Sequence, residues 1–256
     1  MKKNHFISFL VILIISFGIT SCDKSANNAT LKVRLTDAPA NFQKVLIDIQ
    51  DLQINASSDE NGGTWQSLPI KKGVYNLLDF RNGLDTLLAD VELPSGSISQ
   101  MRLVLGANNQ VEVGDQYYDL TTPSAQQSGL KFNVQAELTP GITYKLWIDF
   151  DAARSIVQRG NGSFSLKPVI RTFTQADSGA ISGTVSPAAA SPLVQAIANG
   201  DTISTIAGGD GNFLLRGVPA GLRKVVFTPV LPYSAKTVDN VQVTDGQVST
   251  LGTISF

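Results

Sequence analysis

Two stretches with a repeat of two residues set the fold class. Leu130, Phe132, Val134, Ala136 and Leu138 alternate with Lys131, Asn133, Gln135 and Glu137. After Pro140-Gly141, Ile142, Tyr144, Leu146, Ile148 and Phe150 alternate with Thr143, Lys145, Trp147, Asp149 and Asp151. Side chains of a strand point to opposite faces in turn, so this period buries one face and wets the other. A helix, repeating every 3.6 residues, would scatter both runs around its surface. Two such runs about Pro-Gly predict a β-hairpin with one buried face.

The same period recurs along the chain. Leu31 to Thr36 alternates. Val45, Ile47 and Ile49 share one parity, and Leu52 and Ile54 the other, which predicts a β-bulge near Gln50-Asp51. Ser57 to Gly63 reads as a polar loop and Trp65 opens a short strand. Further strands are expected at 74–78, 101–105, 111–113, 117–120 and 164–173, with Pro168 marking an edge or bulge in the last. Leu84 to Ala89 reads as one or two helical turns. Asp151-Ala152-Ala153-Arg154 reads as a short helix, with Asp151 at its N-cap and Gly160 ending it.

Gln175 to Gly179 is a polar junction. Beyond it, short apolar runs are divided by turns at Pro187–Ser191, Gly208–Gly211, Pro219–Gly221 and Asp245-Gly246, a spacing that suits a small sandwich. The expectation is therefore an all-β chain with two antiparallel β-sandwich domains in tandem, at 30–174 and 179–256. Gly208-Gly209-Asp210-Gly211 reads as a hairpin turn, since no helix follows it to hold a phosphate.

The first 22 residues predict an address. Lys2 and Lys3 precede an apolar run from Phe6 to Gly18, too short to span a bilayer but right for a signal peptide. Ile19-Thr20-Ser21 then places small residues before Cys22, the only cysteine. This is the layout of a lipoprotein signal: leader 1–21, lipid on Cys22, and a flexible tether over 22–29. The expected location is the cell envelope, held by lipid in the outer membrane.

Composition then removes chemistry. His5 is the only histidine, so past Cys22 there is neither histidine nor thiol. That excludes Ser-His-Asp and Cys-His nucleophiles, His/Cys metal sites and disulfides. Without the leader, 18 basic residues face 21 acidic ones, a net charge of −3, which argues against nucleic acid as a partner. No organic cofactor is implied; oxygen-ligand calcium sites stay open. A glycosidase would need two carboxylates across a cleft, and no long loop marks one, so no catalysis is expected.

Asp149 and Asp151, two apart on one strand, share a face with Lys145 and Trp147. Two readings stay open. They hold calcium or serve a sugar, with Asp37 joining if it lies near Asp149. Otherwise they are a solvent-facing strand end, with Asp151 capping the next turn and Lys145 pairing an acid. Trp65, Trp147, Tyr117, Tyr118 and Tyr233 are candidate sugar platforms, Trp147 first because its parity puts it on the polar face.

Residues from about 30 to 173 resemble the DUF4382 family of envelope proteins. The resemblance rests on Leu35-Thr36-Asp37-Ala38-Pro39, Met101-Arg102-Leu103-Val104, Pro123 through Ser128-Gly129-Leu130-Lys131, Asp149-Phe150-Asp151-Ala152 and Leu166-Lys167-Pro168-Val169-Ile170. It implies a module without a known activity. Residues from about 179 onward resemble the carboxypeptidase regulatory-like module, a transthyretin-like sandwich grouped with carbohydrate-binding-like folds. The carriers are Ile181 through Pro187, Gly211-Asn212-Phe213, Gly217 through Gly221 and Val241-Gln242-Val243. The function expected is non-catalytic: a lipid-anchored envelope protein presenting sandwich surfaces to a partner protein or a glycan. The alternatives are a carbohydrate-binding surface lipoprotein and a structural or adhesive component like lipoprotein fimbrillins.

Overall fold

The computed structural model describes residues 27–56, 64–122, 128–198 and 200–256, without the side chain of Gln135. The leader, Cys22, most of the tether, the 57–63 loop and Pro123 lie outside the described residues. Thirteen strands come first: β1 (Asn28–Ala38), β2 (Lys44–Asn55), β3 (Trp65–Ser67), β4 (Gly73–Asn76), β5 (Thr86–Pro94), β6 (Gly96–Leu105), β7 (Gln110–Val113), β8 (Gln116–Thr121), β9 (Leu130–Leu138), β10 (Thr143–Asp151), β11 (Ile156–Gln158), β12 (Phe164–Leu166) and β13 (Ile170–Thr174). Seven follow: β14 (Gly179–Ser186), β15 (Leu193–Ala198), β16 (Asp201–Ile206), β17 (Asn212–Val218), β18 (Gly221–Thr228), β19 (Lys236–Val243) and β20 (Val248–Ser255).

The first thirteen make two facing sheets. One is four-stranded, in the order β13-β10-β1-β5; the other runs β11-β12-β8-β7-β2-β6-β9, with β3 and β4 also on β2. The last seven make two more, β17-β14-β20 and β16-β15-β18-β19. The chain is all-β and sandwiched, as its period of two requires. Three of these four sheets are mixed, because β1 pairs β10 in parallel, β8 pairs β12 in parallel and β14 pairs β20 in parallel, while β16-β15-β18-β19 is antiparallel throughout. Alternation within a strand does not report the direction of its neighbour.

Each pair of sheets encloses its own apolar cluster. Leu31, Val33 and Leu35 of β1 meet Leu146, Ile148 and Phe150 of β10, and across the sandwich Ile47, Leu52, Met101 and Leu103. Ile181, Val194, Ala196, Leu215 and Val225 fill the second cluster around an edge-to-face pair, Phe213 and Phe227, with centroids 5.5 Å apart. The bulge expected in β2 is present: its pairing with β6 shifts between Ile49 and Asp51.

Three local expectations fail for one reason, which is that sequence neighbours divide between sheets. β9 pairs β6, while β10 pairs β1 and β13. Pro140-Gly141 is thus a corner between sheets and not a hairpin. Residues 164–173 form two strands, since Lys167-Pro168-Val169 crosses from β12 in one sheet to β13 in the other. Gly208–Gly211 likewise links β16 to β17 across the second sandwich. Leu84 to Ala89 is not helical: Thr86 opens β5, and the helical turn is a 3-10 one at Leu77–Phe80. The short helix α1 (Ala152–Ser155) does carry Asp151 at its N-cap, accepting from Arg154 N at 2.9 Å, but it ends at Ser155, well before Gly160.

Candidate functional site

Parallel pairing of β1 with β10 and antiparallel pairing of β10 with β13 arrange the outer face of the four-stranded sheet in rows. Arg34, Trp147 and Phe173 are register partners, and so are Thr36, Asp149 and Arg171. Side chains opposite one another on one face of a sheet lie in contact range, and both rows become networks.

In the first row, Arg34 Nε donates to Asp85 Oδ1 at 2.6 Å and Trp147 Nε1 donates to Asp85 Oδ2 at 2.8 Å. Trp147 stacks on Phe173, centroids 5.4 Å apart and planes 5° from parallel. Arg216 of β17 comes from the second sandwich, lying 5.8 Å from the Trp147 centroid and 3.8 Å from Asp85. Burial alone would raise the Asp85 carboxyl. The bonds from Arg34 and Trp147 and the charges of Arg34 and Arg216 outweigh that and hold it below the usual carboxylate range.

In the second row, Arg171 clasps Asp149 Oδ2 through Nη2 at 2.6 Å and Nε at 3.2 Å. Its Nη1 donates to the carbonyl of Gly217 at 2.8 Å. Gly217 has φ +67°, and a Cβ there would lie 2.5 Å from Phe173. Only glycine lets β17 come this close.

Asn82, at φ 56° in the turn before β5, completes the junction. Its Nδ2 donates to Asn212 O at 3.0 Å and its Oδ1 accepts from Leu214 N at 2.9 Å. One side-chain amide thereby pairs the free edge of β17 as a strand would. Nothing in the sequence marked Asn82, Asp85, Arg171 or Arg216. A possible signal was the density of charge in segments whose apolar residues already face a core.

Three hollows lie at or beside this junction. A groove of about 230 Å³ runs between the sandwiches, with Lys145, Trp147 and Phe173 on one wall and Gln247 and Val248 on the other. It adjoins a larger hollow of about 480 Å³ over Ile142, Tyr144 and Thr174, sharing Lys145 and Gln175 with it. A third, partly open space of about 20 Å³ is bounded by Asp37, Asp149, Arg171, Thr205 and Arg216. Asp37 is 6% exposed, Asp149 9% and Thr205 3%. Asp37 Oδ1 accepts from Ala152 N at 3.0 Å. Among the described residues, Asp37 Oδ2, Asp149 Oδ1, Thr205 Oγ1 and Arg216 Nε have no hydrogen-bond partner. Burial, and then the nearby Asp149 and Asp151 charges, push Asp37 well above the usual carboxylate range against the pull of the Ala152 N–H and Arg81. Burial also raises Asp149, even with Arg171 beside it.

The expectations for these residues divide. Asp37 and Asp149 border one small space, but the register sets Asp37 beside Phe150 and Asp149 beside Thr36, on opposite faces of the sheet. Asp149 is buried and ion-paired, not at a solvent-facing strand end, while Asp151 caps α1 as the plainer reading had it. Asp37, Asp149 and Asp151 do not suit calcium, which takes six to eight oxygens. Asp151 Oδ2 is taken by Arg154, Asp149 Oδ2 by Arg171, and the small space is edged by two guanidinium groups. Among the described residues no group of three acidic, histidine or cysteine side chains is placed to hold a metal ion. Trp147, expected on an exposed face, is only 6% exposed because the second sandwich covers that face; its edge lines the groove and its rings are engaged. Lys145 has no ion-pair partner among the described residues and faces the groove. Trp65 lies under Arg102 at 4.0 Å, Tyr117 accepts from Lys44 at 2.7 Å, Tyr118 packs on Phe164 at 5.1 Å and Tyr233 on Phe256 at 6.4 Å.

A family profile described as "Domain of unknown function (DUF4382)" matches residues 28–168. The chain belongs to the DUF4382 family. The match takes in both sheets of the first sandwich except β13, and so carries Asp37, Asp85, Trp147 and Asp149 of the junction. No curated protein matches this DUF4382 chain. Among solved structures, a cohesin–X-dockerin complex from Acetivibrio cellulolyticus is 24% identical over 29% of this chain and 52% of that one, with a TM-score of 0.24. A fimbrial protein from Bacteroides ovatus is 11% identical over 90% and 50%, with a TM-score of 0.26. The minor pilin GBS52 of Streptococcus agalactiae is 10% identical over 88% and 94%, with a TM-score of 0.23. The chain spans about half the length of the cohesin-complex and fimbrial chains it matches.

Proposed function

We propose that this DUF4382 protein is a non-catalytic envelope lipoprotein, anchored through Cys22, that binds a glycan or an extended segment of an envelope protein in the groove between its two sandwiches. The second sandwich is the proposed carboxypeptidase regulatory-like module. One observation carries the reading: the groove exists only because two modules meet, with an apolar floor at Phe173 and Val248 and the free polar ends of Lys145, Gln175 and Gln247 around it. Binding sites favour such mixed clefts at module junctions. Catalysis lacks a reagent, since no histidine or thiol follows Cys22, Asp149 is held by Arg171, Asp151 caps α1 and Asp37 is buried against Ala152 N. Placement agrees with anchoring. β1 starts six residues after Cys22 and runs about 33 Å, and the second sandwich sits against the half of its sheet furthest from Asn28, at Arg34 to Asp37.

The test is calorimetric titration of the intact chain with a panel of bacterial polysaccharides and envelope-protein peptides, repeated with Lys145→Glu. Binding that falls at least tenfold in Lys145→Glu, at unchanged melting temperature, supports the groove. No binding across the panel ends it, and concentration-dependent self-association in sedimentation would favour the structural alternative. Palmitate labelling that disappears in Cys22→Ala tests the anchor separately.

A further inference from the structure

Strand β10 has a neighbour on both sides for only part of its length. Its pairing with β1 begins at Thr143, while its pairing with β13 begins at Leu146, opposite Thr174. β13 stops there because the chain turns. Thr174 Oγ1 donates to Asp177 Oδ2 at 2.7 Å and accepts from Asp177 N at 3.2 Å, and Ser178 Oγ donates to the Thr174 carbonyl at 2.5 Å. Such side-chain bonds give the backbone a turn in place of a ladder. The hollow of about 480 Å³ lies where β13 would have run on, against Ile142 to Lys145 and beside Gln175 and Ala176. Thr30 N donates to Ile142 O at 3.0 Å. Backbone groups of successive strand residues point to alternate sides, so those of Thr143 face the hollow and not β1.

We propose that an extended, acidic peptide segment fills this place, pairing with β10 at Thr143 to Lys145 as an added strand in line with β13. The inference rests on the groove as a binding site and names its occupant as protein and not glycan. Two observations select that occupant. An open stretch of strand edge takes a ladder of main-chain hydrogen bonds, which a peptide supplies and a sugar does not. Charge then selects acidity. Among the described residues lining the hollow and the groove, the charged ones are Lys145 and Arg216, and none is acidic. Arg216 already lies 3.8 Å from Asp85, whereas Lys145 has no ion-pair partner among the described residues. Strand side chains alternate between faces. One face of the added strand meets Lys145, and the other meets Tyr144 and Ile142, an isoleucine left 49% exposed. The segment that fits therefore alternates acidic and apolar residues, and it runs on into the groove, which shares Lys145 and Gln175 with the hollow.

The probe is a short peptide alternating valine and glutamate, titrated calorimetrically into the intact chain. Three relatives accompany it: one with lysine for glutamate, and two N-methylated on one or the other alternating set of amides. An added strand turns one set of amides to β10 and the other to solvent, and the side-chain pattern fixes which. One methylated isomer should therefore lose binding about tenfold or more while the other keeps it. The lysine peptide should bind about tenfold more weakly than the glutamate one, and Lys145→Glu should reverse that order. Thr143→Pro removes the N–H that faces the hollow at the first residue of a strand, where proline is tolerated. It should weaken binding about tenfold, the loss of one hydrogen bond, at unchanged melting temperature. Equal binding of the two methylated isomers, or of the glutamate and lysine peptides, overturns the added strand and leaves the groove as a binding site. Polysaccharide binding without peptide binding overturns it in favour of a glycan. Self-association that is lost in Thr143→Pro would put a second copy of the chain on this edge instead. Failure of every probe to bind removes the groove as well.

Discussion

The indole N–H of Trp147 donates to Asp85 Oδ2 at 2.8 Å, while Arg34 and Arg216 approach the same carboxylate from two different sandwiches. Asp85 is the electrostatic node of the junction. Asp85→Asn keeps the shape and one acceptor but removes the charge that both guanidinium groups share. The expected loss is about 2 kcal/mol, the usual cost of losing a hydrogen bond to a charged group. Urea denaturation followed by Trp147 emission measures it. A loss below a few tenths would mean the arginines are satisfied by water.

Asn82 does by side chain what a strand does by backbone, pairing Asn212 O and Leu214 N. Asn82→Ala removes both bonds and also places a Cβ residue at φ 56°, where asparagine is tolerated and alanine is strained. Asn82→Gly removes the bonds without the strain. Alanine should cost about 2–3 kcal/mol and glycine about 1 kcal/mol less than alanine. Equal losses would show that backbone conformation contributes nothing there.

Gly217→Ala meets two penalties. The φ of +67° disfavours any L side chain, and the new methyl would sit 2.5 Å from Phe173. The expected cost is about 2–3 kcal/mol, in the range of strained overpacking. Phe173→Leu in the same chain should recover part of it, since contacting sites are non-additive. Strict additivity of the two free energies, measured by denaturation, would show that the clash is relieved elsewhere.

Much of the fold was legible in the sequence. Core positions such as Leu31, Val33, Leu146 and Ile148 declare themselves by a period of two, and the β2 bulge by a parity slip at Gln50-Asp51. What stayed hidden was which strands pair. Pro140-Gly141 looks the same whether it closes a hairpin or turns a corner between sheets. The site was half legible for a related reason. Asp37, Asp149 and Trp147 stood out, but as a wet face, because parity says that a face is polar and not what covers it. From Leu146 to Phe150 every residue of β10 is buried. A second sandwich packs on the polar side, held by Asn82, Asp85, Arg171 and Arg216, residues that look like ordinary surface until partners 46 to 132 positions away meet them.

The carboxylates of the junction pull stability in opposite directions with pH. Asp85 is held below its unfolded value, about 4, so its contribution is present above that value and lost as pH falls through the lowered one. Asp37 and Asp149 are raised, so theirs is full below about 4 and lost as pH rises through the raised values. The parent should therefore have an acid limb and an alkaline limb with a maximum between them. Asp85→Asn should flatten the acid limb, and Asp37→Asn should weaken the alkaline limb, with Asp149 keeping part of it. Unfolding free energies from urea titrations between pH 3 and 9 separate the two. An alkaline limb unchanged in Asp37→Asn would mean that Asp37 contributes nothing to it.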